Sequence, residues 1–228
     1  MSGRRNELIN GAWDEAPILL GVVPFGIVFG ASAVASNLSV FAAQGMSAVI
    51  FAGSAQFIAA QLIGAGASTL VVLMVISVVN LRHVLYSASL APYLQHLNFG
   101  WKIFLSYLLT DEAYAVAVTH YHREGAFPYK HWYFLGAGLT LWTSWQLSTA
   151  AGIFIGTKVS TALPITFFLP LTFIALVVPL IKDRPTLVSA LVAGVIGILA
   201  MDFPYKTGLL LAGLCGILAG VMVERWKQ

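Results

Sequence analysis

Eight long apolar stretches, set apart by short polar connections, leave this chain little choice of solvent. They run over Pro17–Ser36, Phe41–Gly64, Ser68–Pro92, Trp101–His120, Trp132–Gly156, Pro164–Ile181, Thr186–Met201 and Thr207–Val223. A membrane-crossing helix needs about 20 mostly apolar residues, within a range of about 17–25, and most of these stretches qualify. Only 9% of the 228 residues are charged, against about 25% in an ordinary soluble domain. That is too little polar surface to cover a globule in water. The sequence therefore predicts an all-α, polytopic integral membrane protein, a single transmembrane transporter domain of eight segments with kinked or discontinuous helices. Thr186–Met201 is short for a span, so seven is the alternative count. A soluble enzyme, a nucleic-acid binder and a disordered chain are excluded.

Charge placement orients these segments. With eight crossings, Arg4, Arg5, Arg123, Lys130, Lys182, Arg184, Arg225 and Lys227 fall on one side, and Lys102, Lys158 and Lys206 on the other. Basic residues favour the cytoplasmic side, so both termini are expected there. Trp101, Trp132, Tyr133 and Trp226 fall at segment ends, where an aromatic belt belongs. Met1–Pro17 is polar and somewhat amphipathic, unlike a cleavable leader. The single Cys215 allows no internal disulfide and no cysteine metal site, and reads as a small buried hydrophobe. His120 and His122, near Arg123, Glu124 and Lys130, read as a solvated loop. No cofactor is expected.

Ionisable residues inside spans are costly and tend to face the protein interior. Asn80-Leu81-Arg82-His83 lies deep in the third segment. On one continuous helix, Asn80, Arg82, His83, Tyr86 and Ser87 share an arc of about 160°, a polar seam. Thr110-Asp111-Glu112 lies near the middle of the fourth segment, with Tyr107, Asp111 and Tyr114 spaced for one face and Glu112 turned about 100° away. Arg82 and the two acids read either as a buried ion pair that fixes packing or as a polar site at the depth where transporters hold substrate. His83 reads as a proton-coupling group or as a neighbour's hydrogen-bond partner. In the second segment, Gly53-Ser54 marks a place for a helix to break, which exposes backbone N–H groups to an anion, with Ser54 and Gln56 close by; close helix packing is the other reading. Pro24-Phe25-Gly26 suggests a kink, as do Pro170 and Pro179.

Four ordered motifs carry a family resemblance. They are Pro24-Phe25-Gly26-Ile27-Val28-Phe29-Gly30, Phe51-Ala52-Gly53-Ser54-Ala55-Gln56-Phe57, the stretch from Asn80-Leu81-Arg82-His83 through Leu85-Tyr86-Ser87 to Ala91-Pro92-Tyr93-Leu94, and Leu109-Thr110-Asp111-Glu112-Ala113-Tyr114. Together they resemble the AzlC-type large subunit of branched-chain amino acid permeases over about residues 17–115. The second half agrees in hydropathy and in the run from Phe173 to Leu180. The resemblance implies a secondary transporter that exports valine, leucine, isoleucine or related neutral amino acids, methionine among them. It also implies a bacterial inner membrane and a small AzlD-type partner subunit.

The residues themselves suit a zwitterionic substrate, because one basic and two acidic groups near the midplane offer both signs. The expected substrate contacts are Asp111, Arg82, Gly53, Ser54, Gln56, Asn80 and Tyr86, with Glu112 and His83 carrying a coupling proton. The alternatives are transport of another small zwitterion or organic solute, a structural partner subunit, and an intramembrane enzyme. No Gly-x-Ser-x-Gly, His-Glu-x-x-His or phosphate-binding glycine loop is present, so an enzyme is not expected.

Overall fold

The computed structural model describes residues 3–122, 129–159, 181, 183–201, 203 and 207–226. The sixth segment up to residue 180, Pro170, Pro179, Arg123, Glu124, Lys182, Lys206 and Lys227 lie outside them. All regular structure among the described residues is helical. The chain divides into two compact units, Met1–Thr172 and Phe173–Gln228, where the sequence suggests one domain.

The first unit is built on two long helical pieces that run side by side in the same direction. α1 (Arg4–Glu15) passes through a tight turn at Ala16–Ile18 into α2 (Leu19–Ala35), and the whole is long and apolar enough to cross a membrane. The first crossing thus begins about a dozen residues before Pro17. The chain stays helical through Pro24, and the change of winding falls at Pro17 instead. α9 (Lys130–Val159) lies beside it. Glycines allow this closeness: a Cβ on Gly11 or Gly136 would strike the backbone of Tyr133 or Leu8, and one on Gly30 or Gly152 the backbone of Thr149 or Ile27. Such small-residue seams hold helices together where lipid supplies no hydrophobic drive.

The second segment breaks. α3 (Val40–Ile50), capped by the Ser39 hydroxyl, ends at Phe51, whose φ of 40° is left-handed. Ala52 is extended, and α4 (Gly53–Gly64) starts afresh. A straight helix over these residues would part its ends by about 36 Å. Instead α3 starts just beyond Ser36, and Gly64 packs against Ser36. The segment enters, turns at Phe51–Ala52 and returns to the end it left.

The third segment continues across. α5 (Thr69–Val79) and α6 (Arg82–Leu94) form one span bent by 42° at Asn80–Leu81. The break removes Asn80 from the helical face it was expected to share with Arg82 and Tyr86.

The fourth segment reverses as the second does. α7 (Phe99–Tyr107), capped by Asn98, gives way at Leu108–Thr110 to α8 (Asp111–Tyr121), capped by Thr110. Trp101 packs on His131 and Trp132, while the Tyr121 hydroxyl donates to the Lys130 carbonyl at 2.6 Å. Both ends of the segment therefore sit beside the start of α9. This corrects two expectations. Tyr107 does not share a face with Asp111 and Tyr114, and Lys102 lies at the same end as Arg4 and Lys130.

Span and hairpin recur with reversed direction. In the first repeat Phe29 meets Phe57 and Ser36 meets Gly64; in the second Tyr86 meets Tyr114 and Tyr93 meets Tyr121. Every pair is 28 residues apart. The two hairpins enter from opposite ends and their tips meet: Phe51 lies 6.2 Å from Tyr107, whose hydroxyl donates to the Ala48 carbonyl. This is an inverted repeat of the kind found in transporters, and it lies within the first half of the sequence rather than between halves.

In the second unit, α10 (Arg184–Leu199) and α11 (Thr207–Arg225) pack together, with Gly216 and Gly220 against Ala193 and Ser189. Asp183 caps α10 through the Thr186 N–H, and Cys215 is half-buried in α11.

In a Cys215→Ser background, single cysteines at Asn37 and Gly66 should react with an impermeant reagent from one side of the membrane, and those at Asn98 and His122 from the other. Opposite sidedness for Asn37 and Gly66 would mean that the second segment crosses.

Candidate functional site

Three helix starts converge where the hairpin tips meet the bent span. α4 begins at Gly53, α6 at Arg82 and α8 at Asp111. The first N–H groups of any helix have no acceptor within it, and the helix start carries partial positive charge. The Arg82 guanidinium bridges the other two starts. Its Nη1 donates to Asp111 Oδ2 at 3.2 Å and its Nη2 to Ser54 Oγ at 3.1 Å. The side chains of Arg82 and Asp111 remain 31% and 45% open, so the ion pair is only partly enclosed. Arg82 Nε is buried and makes no hydrogen bond among the described residues.

The remaining residues expected at the site divide by position. The Gln56 side chain is fully buried. Its Oε1 accepts the Ala52 N–H at 3.2 Å and the Trp145 Nε1–H at 3.1 Å, which stitches the break in the first hairpin to α9. Gly53 faces the rings of Phe25 and Trp145, so its lack of a side chain permits packing. At the bend of the third segment, His83 Nδ1 donates to the Asn80 carbonyl at 3.1 Å, and Asn80 Oδ1 is buried with no hydrogen-bond partner among the described residues. Tyr86 stacks on Tyr114 at 4.7 Å, and the Tyr114 hydroxyl donates to Ser89 Oγ, tying α6 to α8. Arg82, Asp111 and Ser54 thus meet directly, while Gln56, Gly53, Asn80, His83 and Tyr86 shape the breaks and the walls around them.

A cavity of about 280 Å³ lies between α6 and α7, with Phe134 of α9 in its lining. Leu90, Leu94, Leu105 and Leu109 make its walls largely apolar, with Ser87, Gln95, Lys102 and Ser106 as polar points. Leu109 of this lining stands two residues before Asp111 in the chain, while Arg82, Asp111 and Ser54 are not among the lining residues.

Glu112 follows Asp111 in the first turn of α8 and is half-buried. Glu15 has no exposed surface, and its two carboxylate oxygens accept no hydrogen bond among the described residues. Glu7 is buried on the same face about two turns earlier, with its Oε2 3.4 Å from His120 Nε2. His120 is therefore buried between helices and not in a solvated loop. Its ring stacks on Tyr133 at 3.7 Å, and the Tyr133 hydroxyl donates to Asp14 at 2.6 Å. Along the sequence these acids fall in the polar, somewhat amphipathic stretch Met1–Pro17. Their signal was present: Glu7, Gly11 and Glu15 recur every four residues and share one face.

The family described as AzlC protein matches residues 17–159. Among curated proteins, the chain is 27% identical to an inner membrane protein, YgaZ, of Escherichia coli (strain K12), over 96% of this chain and 91% of that one. It is 28% identical to an uncharacterized membrane protein of Archaeoglobus fulgidus over 92% of this chain and 90% of that one. A third relative, an uncharacterized membrane protein of Helicobacter pylori, is 35% identical over 47% of each chain. No solved structure matches the chain.

Gln56→Leu should leave the Ala52 and Trp145 N–H donors without an acceptor. At about 1–3 kcal/mol for each orphaned donor, thermal unfolding followed by tryptophan fluorescence should show a loss of roughly 2–6 kcal/mol. An unchanged melting curve would mean that Gln56 does not hold the break.

Proposed function

Because this chain belongs to the AzlC family of membrane proteins, we propose that it is a secondary transporter of neutral amino acids, with a branched apolar side chain favoured, and that Arg82, Asp111 and Ser54 form its substrate site. The observation that carries this reading is the Arg82 bridge between the tips of two hairpins that enter from opposite ends. A zwitterion has a carboxylate and an ammonium, and here each meets its complement. The carboxylate goes to Arg82 and to the opening N–H groups of α4 beside Ser54; the ammonium goes to Asp111. In the empty protein the two charges neutralise each other, since an unpaired charge at this depth is expensive. The leucine-walled cavity between α6 and α7 suits a valine, leucine, isoleucine or methionine side chain. The inverted repeat suits alternating access, with one hairpin gating each end.

In the first unit, the described residues Arg4, Arg5, Lys102 and Lys130 gather at one end and Lys158 stands at the other. That bias supports a cytoplasmic N-terminus in a multi-pass bacterial inner-membrane protein. Export is the direction we assign, with proton coupling through Glu112. The open side of the site and the exposed apolar faces of α5, among them Leu70, Leu73 and Val78, accord with a small AzlD-type partner subunit.

Counterflow of labelled leucine in proteoliposomes tests the site. Asp111→Asn and Arg82→Gln should each reduce it at least tenfold while the protein remains monodisperse. Glu112→Gln should keep exchange and lose the response to a pH gradient. Full counterflow by Asp111→Asn would reduce the ion pair to a packing device.

A further inference from the structure

The end of the molecule that carries Arg4 and Lys130 encloses a titratable pair that the substrate site does not use. It consists of Glu7 of α1 and His120, in the last turn of α8. Their side chains are only 2% and 8% exposed, and Glu7 Oε2 lies 3.4 Å from His120 Nε2. The imidazole stacks on the Tyr133 ring of α9 at 3.7 Å, with 5° between the planes, and the Tyr133 hydroxyl donates to Asp14 Oδ2 at 2.6 Å. Three features favour a cationic ring here. A carboxylate faces its edge, an aromatic ring covers its face, and the end of α8 adds partial negative charge. A neutral ring would leave Glu7 as an enclosed carboxylate without its cation, the costly half of a broken buried pair.

We propose that Glu7 and His120 form a proton-binding site that latches α8 to α1, so that the hold on substrate weakens when the pH at this end of the molecule rises. This rests on the transport reading above and adds its regulation. α8 packs on both α1 and α9 and begins at Asp111. His120 stands nine residues further on, about 14 Å along the helix. A latch at one end of α8 therefore sets how firmly the other end is held against Arg82. The pair lies close to the end of the molecule, since Glu7 and Tyr133 each follow a chain-end cation, Arg4 and Lys130, by three residues, about 4.5 Å of helix. The other charged and titratable groups on the packed elements are engaged or distant. On α1, Arg4 lies over Tyr129, Arg5 is exposed, and Glu15 is enclosed about two turns beyond Glu7. On α9, Lys130 lies over Tyr93 and Tyr121, and His131 packs on Trp101. The Tyr121 hydroxyl bonds to the Lys130 carbonyl, His122 packs on Tyr93, and Asp111 and Glu112 stand at the far end of α8.

When the proton leaves, one ring N–H bond of His120 breaks, water takes the proton, and the pair passes from net neutral to one negative charge. An enclosed net charge is relieved by parting the two helices far enough to admit water. The grip of the latch is thus present at low pH and lost as pH rises, the sign that a cationic partner dictates. Packing alone would not call for the pair, because apolar side chains of similar size hold two helices at least as well.

Two arms test this in the full-length chain. Ring-nitrogen magnetic resonance at neutral pH should show His120 as an imidazolium in the wild type and as a neutral ring in Glu7→Gln, with the signal assigned by its loss in His120→Gln. In proteoliposomes held at equal pH on both sides, wild-type leucine exchange should fall about tenfold as the pH is raised from neutral to alkaline, the equivalent of one pH unit of charge stabilisation. The double variant Glu7→Gln with His120→Gln keeps an uncharged polar contact between the helices. It should fold, exchange leucine and lose the pH dependence, even where His120→Gln alone does not fold. A neutral His120 in the wild type, a wild-type exchange rate that is flat with pH, or a pH dependence that survives in the double variant overturns the proposal. A wild-type protein that moves no leucine would sink the transport reading, and the resonance arm would still decide whether the pair holds a proton.

Discussion

A backbone N–H or C=O left bare inside a bilayer costs several kcal/mol, by the order of magnitude that governs all membrane folds. The first unit has three breaks in helical hydrogen bonding at the depth of α9's middle, at Phe51–Ala52, Asn80–Leu81 and Leu108–Thr110. They persist because side chains take over the interrupted bonds. Gln56 receives the Ala52 N–H, His83 donates to the Asn80 carbonyl and Thr110 receives the Ala113 N–H. Clustering serves this end at the two hairpin tips, where Phe51, Ala52, Leu108, Leu109 and Thr110 are buried. It also gathers three helix starts in one place, where Arg82 meets both Asp111 and Ser54.

That arrangement hangs on the α1–α2 and α9 pair. Two helices packed backbone to backbone at Gly11, Gly136, Gly30 and Gly152 make a rigid wall. The hairpin tips dock on it from both ends. Leu108 sits on Gly138, and Gln56 and Phe25 reach Trp145. On α9 these docking points lie roughly 12 and 22 Å from its start, at 1.5 Å per residue. The meeting of the tips near the middle of a helix about 45 Å long is thus a property of the wall as much as of the hairpins. The inverted repeat explains the economy of the design. One span-and-hairpin unit, used twice with opposite direction, produces a centre approached alike from both ends, while α1 adds acids on one end alone.

What the sequence determines by itself is the solvent, the helical class and the identity of the charged centre. The apolar segments dictate a bilayer, since no other medium would accept so little charge. Arg82 and Asp111 stand out because an ion at such depth is costly, and Gly53–Ser54 announces a break because two small residues interrupt an apolar run. Hydropathy cannot tell a helix that crosses from one that enters, turns and leaves, because both present the same apolar length to lipid. The direction of the second and fourth segments was therefore decided by tertiary contacts, Gly64 on Ser36 and Trp101 on His131. The same holds for the assignment of roles. Gln56 and His83 look like ligands along the chain and become braces once Trp145 and the Asn80 carbonyl are beside them. Glu15 looks solvated in a polar segment, and only the packing of α1 against α8 and α9 removes it from water.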